Sequence, residues 1–187
     1  MNIQDKVFCV GIWKTGTKSF GQACSMLGYR VHSHFWPISI ELGGDPELDS
    51  EILEKIKKVS NDFNAFSDSP WLGIYKHLYE WYPDAKFVLT LRESSDNLAE
   101  SEYWHAKAHN QPEEEMPGKE FWIKRYEDHN KSVREFFKDK PGSLLEMCFE
   151  TGDGWEKLLP FLGYEVPSVL PPFPHTNKRR ITTSETD

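Results

Sequence analysis

Lys6-Val7-Phe8-Cys9-Val10-Gly11-Ile12-Trp13-Lys14-Thr15-Gly16-Thr17-Lys18-Ser19-Phe20 is the stretch on which the fold turns. Lys6–Val10 is a short apolar run with β-branched residues, bounded by a glycine loop, and reads as a buried strand. Beyond the loop, Lys18–Leu27 carries apolar residues at Phe20, Ala23, Cys24 and Leu27. That is helical spacing, and Gly28 supplies the stop. A strand, a glycine loop and a helix start together offer backbone N–H groups and the positive helix end to a phosphate.

Working outward, the same alternation continues. Tyr29–His32 is a second short strand candidate, and residues 33–48, with prolines and glycines, read as loop. Asp49 or Ser50 caps an amphipathic helix with apolar positions at Ile52, Leu53, Ile56 and Val59. Ala65–Ser67 is a weak strand, Leu72–Tyr82 a helix ended by Pro83, and Lys86–Leu91 the clearest strand, running straight into Arg92. Ser95–His109 and Glu120–Phe137 read as helices on either side of an acidic loop, Pro112–Gly118. Ser143–Cys148 is a strand and Trp155–Leu162 a final helix. Strands alternating with helices predict an α/β fold in three layers, a central parallel sheet flanked by helices on both faces. With no internal repeat or linker, residues 1–187 are expected to form one domain, with a basic tail from 175 to 187 that is free to fray.

A hydrophobic share of 38% and a charged share of 28% belong to a globular chain that buries a core. The net charge of −8 argues against nucleic-acid or membrane-surface partners, which attract basic faces. No apolar run approaches the roughly 18 residues of a membrane helix, and the opening residues lack a signal peptide's pattern, so a cytoplasmic protein is expected. Cys9, Cys24 and Cys148 are far apart and sit among apolar neighbours, as reduced thiols used as small hydrophobes. Against this acidic background Lys14 with Lys18, and Lys178-Arg179-Arg180, stand out.

Gly11 and Gly16 fit the phosphate-loop spacing G-x-x-x-x-G-K-[ST], but the match then breaks. Thr17 follows Gly16, Lys18-Ser19 is displaced by one, and Lys14 lies inside the loop. An ATPase needs lysine directly after the second glycine and a strand-end acid for magnesium. Here the strongest strand ends in Arg92, which points to a donor held by cations. A turn that merely connects strand to helix is the bland reading, weakened by two lysines, two threonines and a serine in one loop.

Trp13-Lys14-Thr15-Gly16-Thr17-Lys18-Ser19 resembles the phosphosulfate loop of sulfotransferases that use 3′-phosphoadenosine 5′-phosphosulfate (PAPS). Tyr82–Arg92 is similar to that family's apolar strand ending in arginine, which with a serine on the next helix grips the 3′-phosphate. Asp68-Ser69-Pro70, Gly152-Asp153-Gly154-Trp155-Glu156, Phe161-Leu162-Gly163 and Phe173-Pro174-His175-x-Asn177 resemble further signatures of a microbial and invertebrate branch. No motif falls between Trp104 and Asp139. The family's serine commonly lies eight residues after the arginine; Glu100 is there and Ser101 comes ninth, with Ser94 and Ser95 as substitutes.

The resemblance implies a P-loop-type domain that moves a sulfuryl group from PAPS to a hydroxyl or amine of a small-molecule acceptor, without a metal. Trp13, Lys14, Thr15, Gly16, Thr17, Lys18 and Ser19 would hold the 5′-phosphosulfate, with Lys14 neutralising the leaving oxygen. Arg92 and Ser101 would hold the 3′-phosphate, a planar fork suiting that group. Lys178, Arg179 and Arg180 would fold over it, a frayed tail being the alternative. Asp68 is the first candidate for general base, with His34 and His32 as alternatives. His32 with His34, or His105 with His109, begin metal-like pairs, but no third ligand follows at useful spacing. Trp36, Trp71, Trp104 and Trp122 divide between the core and an apolar acceptor pocket. Competing readings are a small P-loop kinase or NTPase, and a non-catalytic nucleotide-binding module on the same fold. Lys14→Ala is expected to lower kcat by roughly 10²-fold, the scale of losing a transition-state donor; near-normal turnover in a steady-state assay would refute the assignment.

Overall fold

A computed structural model of the chain describes residues 5–33 and 48–176. Five strands form one sheet in the order β2-β3-β1-β4-β5: β1 (Val7–Cys9), β2 (Val31–His32), β3 (Ala65–Phe66), β4 (Lys86–Leu91) and β5 (Leu144–Cys148). Every neighbouring pair is parallel. The helices are α1 (Thr17–Met26), α2 (Ser50–Asn61), α3 (Tyr75–Trp81), α4 (Ser95–Ala108), α5 (Lys119–Phe137) and α6 (Trp155–Phe161).

Successive strand side chains point to opposite faces, and the core divides accordingly. Phe8, Phe66, Phe87 and Leu89 pack with Ile56 of α2, Tyr75 and Leu78 of α3, and Val133 and Phe137 of α5. Val7, Cys9, Ala65, Val88 and Met147 pack on the other face with Phe20, Ala23 and Cys24 of α1 and with Trp155, Leu158 and Leu159 of α6. This is the α/β architecture expected from the sequence, with helices on both faces of a parallel sheet. Among the described residues, no helix is long and apolar enough to cross a membrane.

One predicted helix is broken. The stretch 72–82 begins as a separate 3-10 turn, Trp71–Gly73, where the Gly73 N–H donates to the Pro70 carbonyl at 2.9 Å. Ile74 then leaves helical geometry before α3 starts at Tyr75. The apolar periodicity is real, but an i to i−3 bond winds the first turn more tightly than an α-helix.

Gly11 sets the separation between the loop after β1 and the end of β4. A Cβ there would run into the Thr90 side chain and lie 2.5 Å from the Thr90 carbonyl oxygen. Thr15 Oγ1 donates to the Ile12 carbonyl at 2.6 Å and lies 2.6 Å from Thr90 Oγ1, so the Thr90 hydroxyl donates to Thr15. Cys9 Sγ lies 3.5 Å from the same Thr90 oxygen, and burial pushes its thiol up to about 11. Cys9 therefore stays a protonated, packed thiol.

α5 holds the exits of both central strands from one face. Tyr126 Oη accepts the Arg92 N–H at 3.0 Å, just past β4. One turn on, the buried His129 Nε2 lies 2.6 Å from the Val10 carbonyl, just past β1. Nε2 must carry the proton to make that bond, which leaves Nδ1 buried without a hydrogen-bond partner. A second proton is costly there, and burial lowers the imidazole to about 4.

Unfolded, the same imidazole titrates near 6.5. Below that value the unfolded chain binds more protons than the folded one, so this contribution is complete above about pH 6.5 and is lost as pH falls towards 4. Acidification from pH 7 to 5 is expected to lower stability by roughly 1–3 kcal/mol through His129. Urea melts at the two pH values check this, and the difference should shrink in His129→Gln.

Candidate functional site

The loops at the C-terminal ends of β1 and β4 leave towards opposite faces of the sheet, because α1 packs on one side and α4 lies against α5 on the other. Ligands of open parallel sheets bind in such a crevice. A cavity of about 590 Å³ opens there, and Trp13, Lys14, Thr15, Gly16, Thr17, Lys18 and Ser19 all line it. Asp68 from the end of β3, Arg92 from the end of β4 and Ser101 from α4 line the same space. Residues from four separate chain segments are thus brought together. His34, Trp36, Asn177, Lys178, Arg179 and Arg180 lie outside the described residues.

α1 opens onto this cavity without a side-chain cap. Its N-cap, Gly16, sits at φ 101, and a Cβ there would overlap the Phe149 ring. Only glycine allows both the left-handed turn and that ring contact. The first-turn N–H groups, which an α-helix cannot satisfy internally, therefore face the cavity as anion donors. The Thr15 hydroxyl is already committed to Ile12 and Thr90, so this residue can offer a ligand its backbone only.

Lys14 and Asp68 are two of the three described non-glycine residues with positive φ, at 65 and 72. Such conformations are uncommon and cost of order 1 kcal/mol, and their meeting in one cavity singles it out as the candidate site. Burial lowers the Lys14 ammonium below its ordinary range; Glu102 is the largest charge opposing the shift, and Lys18 adds to it. Glu102, on α4, is 7% exposed and lines the cavity. Burial raises its carboxyl, while Lys14 and then Arg125 pull it back down.

The arginine expected at the end of β4 is present in an ion pair. Arg92 Nη1 lies 2.7 Å from Glu150 Oε1, and Arg92 Nε is buried without a hydrogen-bond partner. The serine ambiguity has a geometric answer. Ser94 caps α4 by accepting the Asn97 N–H at 3.1 Å, Ser95 donates to Glu127 at 2.7 Å, and Ser101 lines the cavity. His32 packs edge-on against Phe63 and Trp71, outside the cavity lining.

The C-terminal signatures act by docking the tail. Trp155 Nε1 donates to the Pro171 carbonyl at 2.8 Å, and Phe173 stacks on Phe149 with centroids 5.0 Å apart. This brings Thr176 to the loop, where its N–H donates to Ser19 Oγ at 3.1 Å. His175 and Thr176 complete one wall. On the opposite side the Arg125 guanidinium lies 4.8 Å from the Trp13 ring centroid and 5.9 Å from that of Trp122. All three line the cavity, whereas Trp71 is core and Trp104 is largely exposed. Glu102, Arg125 and Glu150 are lining residues that the sequence did not single out, and His105, noted there only as half of a metal-like pair, lines the cavity too. Their only signal was a polar residue on a helix face or turn, which most surface residues share.

The cavity is therefore lined by cations and donors from separate elements, Lys14 and Lys18 from the loop, Arg92 from the end of β4 and Ser101 from α4. Residues 6–116 and 100–181 match a family model described as "Sulfotransferase domain". The crystal structure of a sulfotransferase from Alicyclobacillus acidocaldarius superposes with a TM-score of 0.55 and 16% identity, covering 86% of this chain and 81% of that one. At that identity the likeness concerns the fold. No curated protein sequence matches the chain.

Glu102→Gln is expected to lower the Lys14 titration midpoint further, since the largest charge that favours its ammonium is gone. Carbon-detected NMR of the lysine ε-methylenes reads this shift; an unmoved Lys14 midpoint would show that the two groups are uncoupled.

Proposed function

The chain belongs to the sulfotransferase domain family, and from that premise we propose that it moves a sulfuryl group from PAPS to a hydroxyl or amine of a small-molecule acceptor. The observation that carries this reading is the convergence of the Lys14–Ser19 loop, Arg92 and Ser101 on one cavity. PAPS bears anionic groups at both ends of its ribose, and the cavity has a donor cluster for each. The buried, unpartnered Nε of Arg92 fits a further acceptor oxygen of the same kind.

In this reading the α1 N–H groups and Lys18 hold the 5′-phosphate. Lys14 faces the bridging oxygen, where charge builds as the S–O bond breaks and the sulfuryl group passes to the acceptor. Its lowered proton affinity also makes it a ready proton donor to that leaving oxygen. Glu102 keeps the ammonium charged and oriented, a positioning role. Asp68, held in the left-handed region at the end of β3, takes the acceptor proton. Trp13 and Trp122 offer apolar walls for the acceptor, with Arg125 between them. The products are the sulfated acceptor and adenosine 3′,5′-bisphosphate.

The alternative of a metal-assisted kinase differs in its ligand. Titration calorimetry should show adenosine 3′,5′-bisphosphate binding without magnesium and more tightly than ATP with magnesium. Tight ATP–magnesium binding with no response to the bisphosphate would replace this reading with the kinase one.

A further inference from the structure

Glu150 belongs to none of the motifs that identify the cavity, yet it makes an ion pair within it. It sits on a single 3-10 turn, Phe149–Thr151, between β5 and α6. One carboxylate oxygen lies 2.7 Å from Arg92 Nη1. The other accepts the Glu93 N–H at 2.8 Å. Arg92 Nε, on the same guanidinium, is buried and makes no hydrogen bond. The carboxylate thus takes one arginine nitrogen and one strand-end amide, as a tetrahedral oxyanion would, and leaves a third donor idle. A bidentate structural pair would have used both guanidinium nitrogens of one edge.

We infer that Glu150 is a built-in counter-anion occupying the 3′-phosphate position at Arg92, and that it holds down the site's affinity for a charged 3′-group, which has to displace it, resting on the PAPS reading above. Two anions cannot share these donors without strong like-charge repulsion. A dianionic phosphate must therefore expel Glu150, whose side chain is 28% exposed and has solvent to enter. A nucleotide with a bare 3′-hydroxyl has no charge with which to displace it, and leaves the Arg92–Glu150 pair intact. The same turn also touches the glycine loop, because the Phe149 ring lies against Gly16. Only the Glu150 side chain has to rotate, so the Phe149 contact and the loop can stay in place.

Glu150→Gln keeps the shape and can still accept the Glu93 N–H while removing the charge. It is expected to bind adenosine 3′,5′-bisphosphate about tenfold more tightly than the wild type, with adenosine 5′-monophosphate affinity changed by less than about twofold. Unchanged or weaker bisphosphate binding, or an equal gain for both nucleotides, overturns the assignment. The wild-type protein supplies an independent reading by NMR. The Glu93 amide resonance should move on adding the bisphosphate and stay in place with the monophosphate; the same response to both also overturns it. If wild type and variant bind the bisphosphate equally, only the role of Glu150 falls. If neither binds it, the donor reading falls too.

Discussion

The site depends on how closely the loop after β1 can approach the end of β4. Gly11 lies against Thr90 where any side chain would collide with that residue. The hydroxyls of Thr15 and Thr90 then join loop to strand across that approach, 2.6 Å apart and fully buried from solvent. Each hydroxyl both donates and accepts, so no polar group in this dry seam is wasted. With the seam closed, Lys14 and Arg92 face one cavity although 77 residues separate them in the chain. α5 secures the arrangement from one side, with Tyr126 on the Arg92 peptide and His129 on the Val10 carbonyl.

Charge in the cavity is arranged in compensating sets. Lys14 shares the cavity with Glu102 and Asp68, whose charges favour its ammonium, and Arg92 is paired with Glu150. Removing a charge from water is costly unless a partner is supplied, so the cations lining the cavity are balanced by carboxylates in the same cavity. Glu102 is buried and lines the same cavity as Lys14, close enough to favour its ammonium. Glu150 is less enclosed and can yield. This difference in burial separates the two carboxylates: one is enclosed with Lys14 in the cavity, the other reaches solvent beside Arg92.

Much of the architecture was legible in local pattern. The alternation of strand and helix predicted the three layers, and the strand 86–91 and the helix 95–109 occur within a residue of expectation as β4 and α4. Asp49 caps α2 by accepting the Glu51 N–H at 2.7 Å, one of the two caps the sequence offered. The reading of 72–82 as one helix missed the 3-10 turn, because Pro70 and Gly73 set backbone geometry that side-chain periodicity does not report. The stretch from Trp104 to Asp139 carried no motif, yet it contains Tyr126, His129, Trp122 and Arg125. Their roles are hydrogen bonds to main-chain groups and ring faces turned into the cavity, which many residue types in many positions can supply.

The sequence by itself determined the glycine loop, its two lysines and the strand that ends in Arg92, because these depend on residue type at fixed spacing along one segment. It also carried the family membership that the matched segments express. Tertiary structure alone decided which serine lines the cavity, by engaging Ser94 as a helix cap and Ser95 with Glu127 and leaving Ser101 at the cavity. It alone placed Glu102 in one cavity with Lys14 and Glu150 beside Arg92. Those pairings come from the packing of α4, and of the turn after β5, against the open end of the sheet. The energy of a charge depends on what lies within a few ångströms of it in space, and linear spacing does not encode that distance.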